Sequence, residues 1–379
     1  MGRLLYFYPE NDIALAVGTA GFTAPRAAAA LRAAGAALPL WYGDTADRVI
    51  LPGVNARWYD TMSSRLGMSA DVYAFDAEGL TPEPWGWSLP VRATYLDAGV
   101  PEGALPSVEA IGRIRELSHR RTSVRLAEAL QGELPMPVAA PAHALTDAAL
   151  LPSLLAEWGP CLVKQPWSSS GRGVIDTTNM SVDDAVRQAA GIIRRQQSAM
   201  VERRYERVAD FALLFRMEKG VARYCGLSLF DVDHRYCYTG NIVAPQDVLV
   251  ARLEPYLAPG TLCRLVEVLS QALAREVGVA YEGPLGVDMM VVHRDGTRAL
   301  ALAEMNLRNT MGHVCLALAG KYLAPGVVGR FYLGKTPVLS TTGFLDDATI
   351  IDGRLSSGTL PLTPEGDGMS FLLSVAASD

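Results

Sequence analysis

Residues 285–313 read LGVDMMVVHRDGTRALALAEMNLRNTMGH, and they place Asp288, Glu304, Asn306 and Arg308 within one short segment. Two carboxylates, an amide and a guanidinium are the components of a site for a metal-bound phosphate. An apolar run with one acid inside (287–292) is followed by the turn residues His293-Arg294-Asp295-Gly296-Thr297. A second apolar run (300–303) then leads into Glu304-Met305-Asn306. This is the pattern of a β-hairpin. Alternation along the second strand sends Glu304 and Asn306 to one face, and cross-strand pairing can bring Asp288 beside them. Such a set of oxygens is the hard-donor site that Mg²⁺ takes, phosphates and waters filling its other positions. A hairpin with one solvated polar face would show the same letters. Against that plainer alternative stand Arg308, directly after the strand, and the cost of holding an acid in an apolar strand without a partner.

A second stretch, PCLVKQPWSSSGRGV at residues 160–174, carries matching chemistry. An apolar strand delivers Lys164, and a loop from Ser168 to Gly173 follows. Its small residues leave backbone N–H groups free to approach a polyphosphate. This is not a P-loop, because no GK[ST] opens a helix after the glycines. A Ser/Gly turn between strands is often inert, and Lys164 alone could extend its ammonium into solvent. Lysine, loop and downstream acidic hairpin together point to phosphate binding.

The elements that must position these groups follow from the rest of the chain. With 379 residues, 50% hydrophobic and 20% charged, the chain is long enough for two or three domains with substantial cores. A net charge of −6 argues against broad nucleic-acid binding. Five cysteines without CxxC spacing read as reduced, mostly buried thiols. The first residues are too short an apolar run for a signal peptide, and no run of about 18 apolar residues occurs, so a cytoplasmic protein without membrane contact is expected. Residues 3–8 are expected as a strand, 25–37 as an alanine-rich helix and 38–42 as a second strand, an order that suggests a parallel sheet. The intervening polar loop, Pro9 to Asp12, lies where ligands sit in open α/β sheets, although ordinary turn chemistry explains it equally well. Residues 58–96, rich in Pro, Gly and Trp, read as irregular connection. Helices are expected at 107–117, 122–131 and 146–158, the first two separated by Ser118-His119-Arg120-Arg121.

These motifs, in this order, resemble the ATP-grasp superfamily of carboxylate–amine/thiol ligase-like enzymes, to which biotin carboxylase belongs. The resemblance runs from about residue 113 to 330. Lys164 and the loop Ser168 to Gly173, with Ser169, Ser170, Gly171 and Gly173, are similar to the family's strand lysine and phosphate-covering loop. Arg120 or Arg121 falls where many members have a first nucleotide-binding lysine. Residues 199–205, with Glu202, Arg203 and Tyr205, are similar to the strand that holds adenine. Asp210 stands at the ribose-binding acid, usually Glu. Asp288 and the segment Glu304-Met305-Asn306-Leu307-Arg308 resemble the metal-binding acid and the E-x-N-x-R segment, the most specific match. Departures are arginine for the first lysine, Arg172 between the loop glycines, Asp for Glu at the ribose, and Leu307 where proline often follows; none removes a metal ligand.

The resemblance implies an α/β and α+β chain. A Rossmann-like pre-ATP-grasp domain (1–105) would precede a two-lobed ATP-grasp unit, its small lobe at 106–198 and its large lobe with the metal site at 199–335, and a C-terminal extension at 336–379 would follow. It also implies ATP with two Mg²⁺ ions, held by Asp288, Glu304 and Asn306, and catalysis by Lys164 and Arg308. The expected partners are a small-molecule or peptide carboxylate and a nucleophilic acceptor, with oligomerisation open. Phosphoryl transfer would make an acyl phosphate that an amine then attacks. A kinase of the same fold and a non-catalytic nucleotide-binding regulator are the alternatives; intact metal ligands argue against the second. His313 reads as a core or loop histidine ahead of a substrate role. Tyr238, Gly240 and Asn241 read equally as acceptor-pocket residues or as loop packing.

Overall fold

The computed structural model describes residues 2–51, 53, 55–72, 77–168, 173–334, 347–364 and 369–376. The N-terminal sheet comprises β1 (Gly2–Tyr6), β2 (Arg48–Val49), β3 (Asp71–Val72) and β4 (Leu80–Pro84), all parallel in the order β3-β2-β1-β4. Leu4 and Leu5 point to opposite faces of β1, and both are fully buried. A strand buried on both faces needs cover on each, as parallel sheets have. Helices α1 (Asn11–Val17), α2 (Arg26–Gly35), α3 (Pro39–Tyr42), α4 (Ala56–Leu66) and α5 (Leu89–Asp97) belong to this region.

Two expectations are corrected here. The run at 38–42 is the helical turn α3, with Pro39 in its first turn, and the second strand comes later, at Arg48–Val49. A short apolar run bears no period that separates a buried helical turn from a strand. Residues 58–96 are not irregular: they contain most of α4, then β3, β4 and α5. Pro82 and Pro84 misled because proline is foreign to a central strand, yet β4 lies at the sheet edge, where a missing N–H is tolerated. The cysteine expectation also needs amending, since Cys161 and Cys315 are buried but Cys225 and Cys263 are exposed.

Helices α6 (Val108–Leu117) and α7 (Arg121–Leu130) meet at a kink, and the Ser107 hydroxyl caps α6 by accepting from the Ala110 N–H at 3.2 Å. Beyond them, β5 (His143–Leu145), β6 (Cys161–Lys164), β7 (Val174–Asp176) and β8 (Ala199–Arg203) form an antiparallel sheet in the order β5-β8-β6-β7. The expected helix at 146–158 is a 3₁₀ turn followed by α8 (Leu151–Trp158). Together with α9 (Val182–Gln196), α8 packs its apolar residues against Cys161, Val163, Ala199 and Val201.

The remaining strands are β9 (Glu206–Glu218), β10 (Val221–Val232), β11 (Tyr238–Val243), β12 (Gly283–Arg294), β13 (Thr297–Asn306), β14 (Gly329–Gly334), β15 (Thr349–Ile351), β16 (Arg354–Pro361) and β17 (Ser370–Val375). They form one nine-stranded sheet, ordered β13-β12-β9-β10-β11-β14-β17-β16-β15. Helices α10 (Gln246–Leu253), α11 (Thr261–Val277) and α12 (Met311–Lys321) pack on it. Period-two alternation decides what faces the cleft. Phe211, Leu213 and Phe215 of β9 and Leu285, Val287 and Met289 of β12 enter the core with Leu269 and Leu273 of α11. The intervening Asp210, Ala212 and Asp288 line a cleft on the other side.

The C-terminal strands complete the N-terminal core. Phe371 and Leu373 cluster with Phe7, Trp41 and Trp85, and the indole N–H groups of Trp41 and Trp58 donate to the carbonyls of Leu362 and Pro361 at 2.6 and 3.2 Å. Phe371 lies 6.3 Å from Phe7 and 6.1 Å from Phe331, centroid to centroid. Phe371→Ala is therefore expected to cost about 3–5 kcal/mol of stability, measured by chemical denaturation. A change under about 1 kcal/mol would mean that the C-terminal strand merely decorates the sheet.

Candidate nucleotide and metal site

Asp288 stands directly opposite Glu304 in the β12–β13 ladder, and Gly286 opposite Asn306. The register shifts after that pair, because Ala303 is an extra residue on β13. Bulges of this kind re-aim side chains beside functional sites. Asn306 joins the set through both ends of its amide: Nδ2 donates to Asp288 at 3.0 Å, and Oδ1 accepts from Arg308 at 2.7 Å. Burial pushes the Asp288 carboxyl up to about 6, against the pull of Arg308 and of the Asn306 amide. Burial likewise pushes Glu304 up to about 7, opposed by Arg120 and reinforced by Asp288. Glu304 nevertheless keeps 20% of its side chain exposed, towards the cleft.

Arg120, Lys164 and Arg308 bring cations to this cleft. Arg120, buried at the α6–α7 kink, donates through Nη2 to Glu304 at 2.8 Å and to the Ser168 hydroxyl at 3.1 Å, and through Nε to the Gln165 carbonyl at 3.0 Å. Arg121, one residue on, is exposed and begins α7, so of the two candidates only Arg120 reaches the cleft. Lys164, at the end of β6, forms an ion pair with Glu202 on β8 and lines the same cleft. Arg308 donates through Nε to Asp12 of the N-terminal region at 2.8 Å. Gly86 makes this approach possible: it bridges to Arg308, and a Cβ there would lie 2.8 Å from the Arg308 Cβ and 2.7 Å from the Asn11 amide.

Asp210 lies two residues from Ala212, the β9 neighbour of Asp288; burial raises its pKa, and Arg207 at 3.5 Å opposes the rise. Tyr205 borders an adjoining hollow with Arg204, Arg207 and Tyr236. Arg203 stacks over the Trp158 ring at 5.5 Å, away from the acids. Gly173 adopts φ +84°, a left-handed conformation suited to glycine. Ser169, Ser170 and Gly171, with Arg172, fall outside the described residues. Tyr238 and Asn241 line the cleft from β11, where the Tyr238 hydroxyl bonds to the Asn241 Oδ1. Gly240 does not line it and pairs with Tyr332 instead.

His313 has a structural task. Its Nδ1 accepts from the Thr310 N–H at 3.2 Å in a capping box at the start of α12. Sequence reasoning missed Arg207, Tyr236, Trp85, Leu31 and Leu333, which also line the cleft or its hollow. No local signal marks them, because each is an ordinary strand, turn or helix residue until distant elements meet.

Asp288 and Glu304 fit a divalent cation on the chemistry of their donors. They are opposed, desolvated acids with raised pKa values, the state that an added positive charge relieves. Among the described residues no group of three or more His, Cys, Asp or Glu side chains forms a metal cluster, so the site would be two acids completed by the Asn306 amide.

No family model and no curated protein matches the chain. Solved structures do. Biotin carboxylase from Campylobacter jejuni, in complex with an ATP analogue, aligns with TM-score 0.54 at 13% identity, covering 99% of this chain and 87% of that one. The biotin carboxylase domain of 2-oxoglutarate carboxylase from Hydrogenobacter thermophilus, with MgADP, ADP and bicarbonate, aligns with TM-score 0.52 at 13% identity, covering 100% and 86%. The chain thus has an ATP-grasp fold: an N-terminal parallel-sheet unit, then a small antiparallel sheet facing a large one. Among the described residues no helix is long and apolar enough to cross a membrane.

The environment of His313 yields a prediction about acid stability. Burial, with Arg216 and Arg308 adding repulsion, lowers its pKa to about 4 against an ordinary 6.5. A neutral histidine that the unfolded chain protonates more readily gives stability that is full above about 6.5 and lost as pH falls towards 4. His313→Gln, which keeps the capping geometry, should therefore flatten the acid limb by roughly 1–3 kcal/mol between those values. Denaturation at pH 7 and pH 4.5 on both proteins measures it, and parallel losses would contradict it.

Proposed function

We propose that this chain is an ATP- and Mg²⁺-dependent ligase that joins a carboxylate to an amine or similar nucleophile through an acyl phosphate. The observation that carries the reading is the convergence of Asp288, Glu304, Asn306, Arg120, Lys164 and Arg308 on one cleft of an ATP-grasp fold. The structural neighbours' own complexes with an ATP analogue and MgADP support the choice of nucleotide. A kinase reading would use the same cleft, but no observation favours it.

A carboxylate is a poor electrophile because its leaving group would be oxide, and phosphorylation supplies a better one. Arg120 and Lys164 hold phosphate oxygens of the nucleotide and orient them. The Ser168 hydroxyl and Gln165 carbonyl fix the Arg120 fork, so it is preorganised before ligand arrives. Lys164 exchanges its Glu202 partner for phosphate. Mg²⁺ bound by Asp288, Glu304 and Asn306 would neutralise the phosphates as charge moves between them. Arg308, steadied by Asp12, receives the acid's carboxylate and counters the charge that develops there. The main chain of β8 and the acid Asp210 hold the nucleoside. No side chain acts as a covalent nucleophile.

Two measurements test the reading. A non-hydrolysable ATP analogue with Mg²⁺ at a hundred times its Kd should stabilise the protein by about 2.7 kcal/mol. Lys164→Met should cut most of that gain, and an analogue without effect at saturation would remove the nucleotide from the proposal.

Glu304→Gln keeps shape and a carbonyl oxygen while deleting charge. Loss of one preorganised group typically costs about 3–4 kcal/mol of transition-state stabilisation, so ATP turnover should fall on the order of a hundredfold to a thousandfold. Because the amide oxygen can still accept from Arg120, the melting temperature should change little. Normal turnover and normal Mg²⁺ dependence in that variant would refute the metal assignment.

A further inference from the structure

The cleft is chemically lopsided, and its far end speaks to the acid that the proposed ligase would activate. From the Asp288–Glu304 pair it crosses β9 and β10 to Tyr238 on β11 and Leu333 on β14. Four strand spacings separate β12 from β14, roughly 19 Å. The acids, Arg120 and Lys164 occupy the first part. At the far part Met311, Tyr238 and Leu333 face Pro9, Leu31 and Trp85 of the N-terminal region.

Among the described residues the cations at that end, Arg32 and Arg308, each already have a carboxylate partner. Arg308 gives one N–H each to Asp12, the Asn309 carbonyl and Asn306, which leaves two of its five for a single carboxylate. Arg32 is paired with Glu10 at 2.6 Å and lies 5.2 Å over the Tyr8 ring. Asn241 is consumed by the Ser228 hydroxyl, the Leu229 carbonyl and Tyr238. A phosphate or second carboxylate placed there would lose its water without gaining a cation, whereas apolar surface placed there would gain from leaving water.

We infer, building on the ligase reading above, that the activated substrate is a monocarboxylic acid with an apolar, unphosphorylated aliphatic or aromatic body. Its carboxylate sits at Arg308, and its body lies along Met311, Tyr238, Leu31 and Leu333. The pocket discriminates by withholding cations as much as by offering apolar contact.

Calorimetric titration of the full chain, saturated with MgADP, tests this with octanoate and 5-phenylpentanoate against glutarate and 3-phosphoglycerate. The apolar acids should bind at least tenfold more tightly than the doubly charged ones. Leu31→Arg should narrow or reverse that order, and Leu333→Arg, on the opposite wall, should do the same if the first variant melts early. Tighter binding of the doubly charged acids, or no binding of either apolar acid, overturns the substrate class while leaving the ligase reading standing. Failure of MgADP itself to bind would remove both.

Discussion

Two carboxylates that cannot comfortably be charged together organise this molecule. Asp288 and Glu304 face one another across a hairpin, largely out of water, with pKa values raised to about 6 and about 7. Desolvation of this kind is relieved only by positive charge brought close. The fold brings it from two directions, Arg120 from the α6–α7 kink and Arg308 from just past the hairpin, while Lys164 lines the same cleft from the small sheet. Most of what surrounds the pair can be understood as holding those cations in place.

The anchoring of Arg308 shows how far this reaches. Its partner Asp12 lies 296 residues away, its backbone bridges to Gly86, and the next residue, Asn309, donates its N–H to the Trp85 carbonyl just past β4. The parallel N-terminal sheet, which contributes no acid to the hairpin, thereby fixes the guanidinium that meets Asn306. The C-terminal strands in turn close the core of that N-terminal sheet through Phe371 and Leu373. A site on β12 and β13 thus depends on packing at both ends of the chain. Arg308 itself commits Nε, Nη1 and Nη2 to Asp12, Asn309 and Asn306, and bonds of this kind rigidify their surroundings.

The acid pair also costs stability. Apolar side chains beneath the acids would serve the core better, and the bulge at Ala303 interrupts an otherwise regular ladder. Such concessions are expected where a group must be held high in energy until a ligand completes it. The even-numbered faces of β9 and β12 make the same point. Their neighbours pack fully into the core, while Asp210 and Asp288 are kept for the cleft.

Sequence alone determined the hairpin, its acids and the strand lysine, because those depend on local periodicity: two apolar runs, a turn between them, and polar residues at alternating places. The order of the motifs resembles that of the ATP-grasp superfamily, and the fold agrees with it. Tertiary structure decided what local pattern carries no information about. A short apolar run at 38–42 became helix, and proline-rich β4 became a strand because the sheet ended there. The choice of Arg120 over Arg121 turned on the direction of a kink, since adjacent helical residues point to different sides. Which residues wall the far end of the cleft was settled by contacts between β11, β14, α12 and the N-terminal region. Their meeting reflects global packing, and no window of sequence contains it.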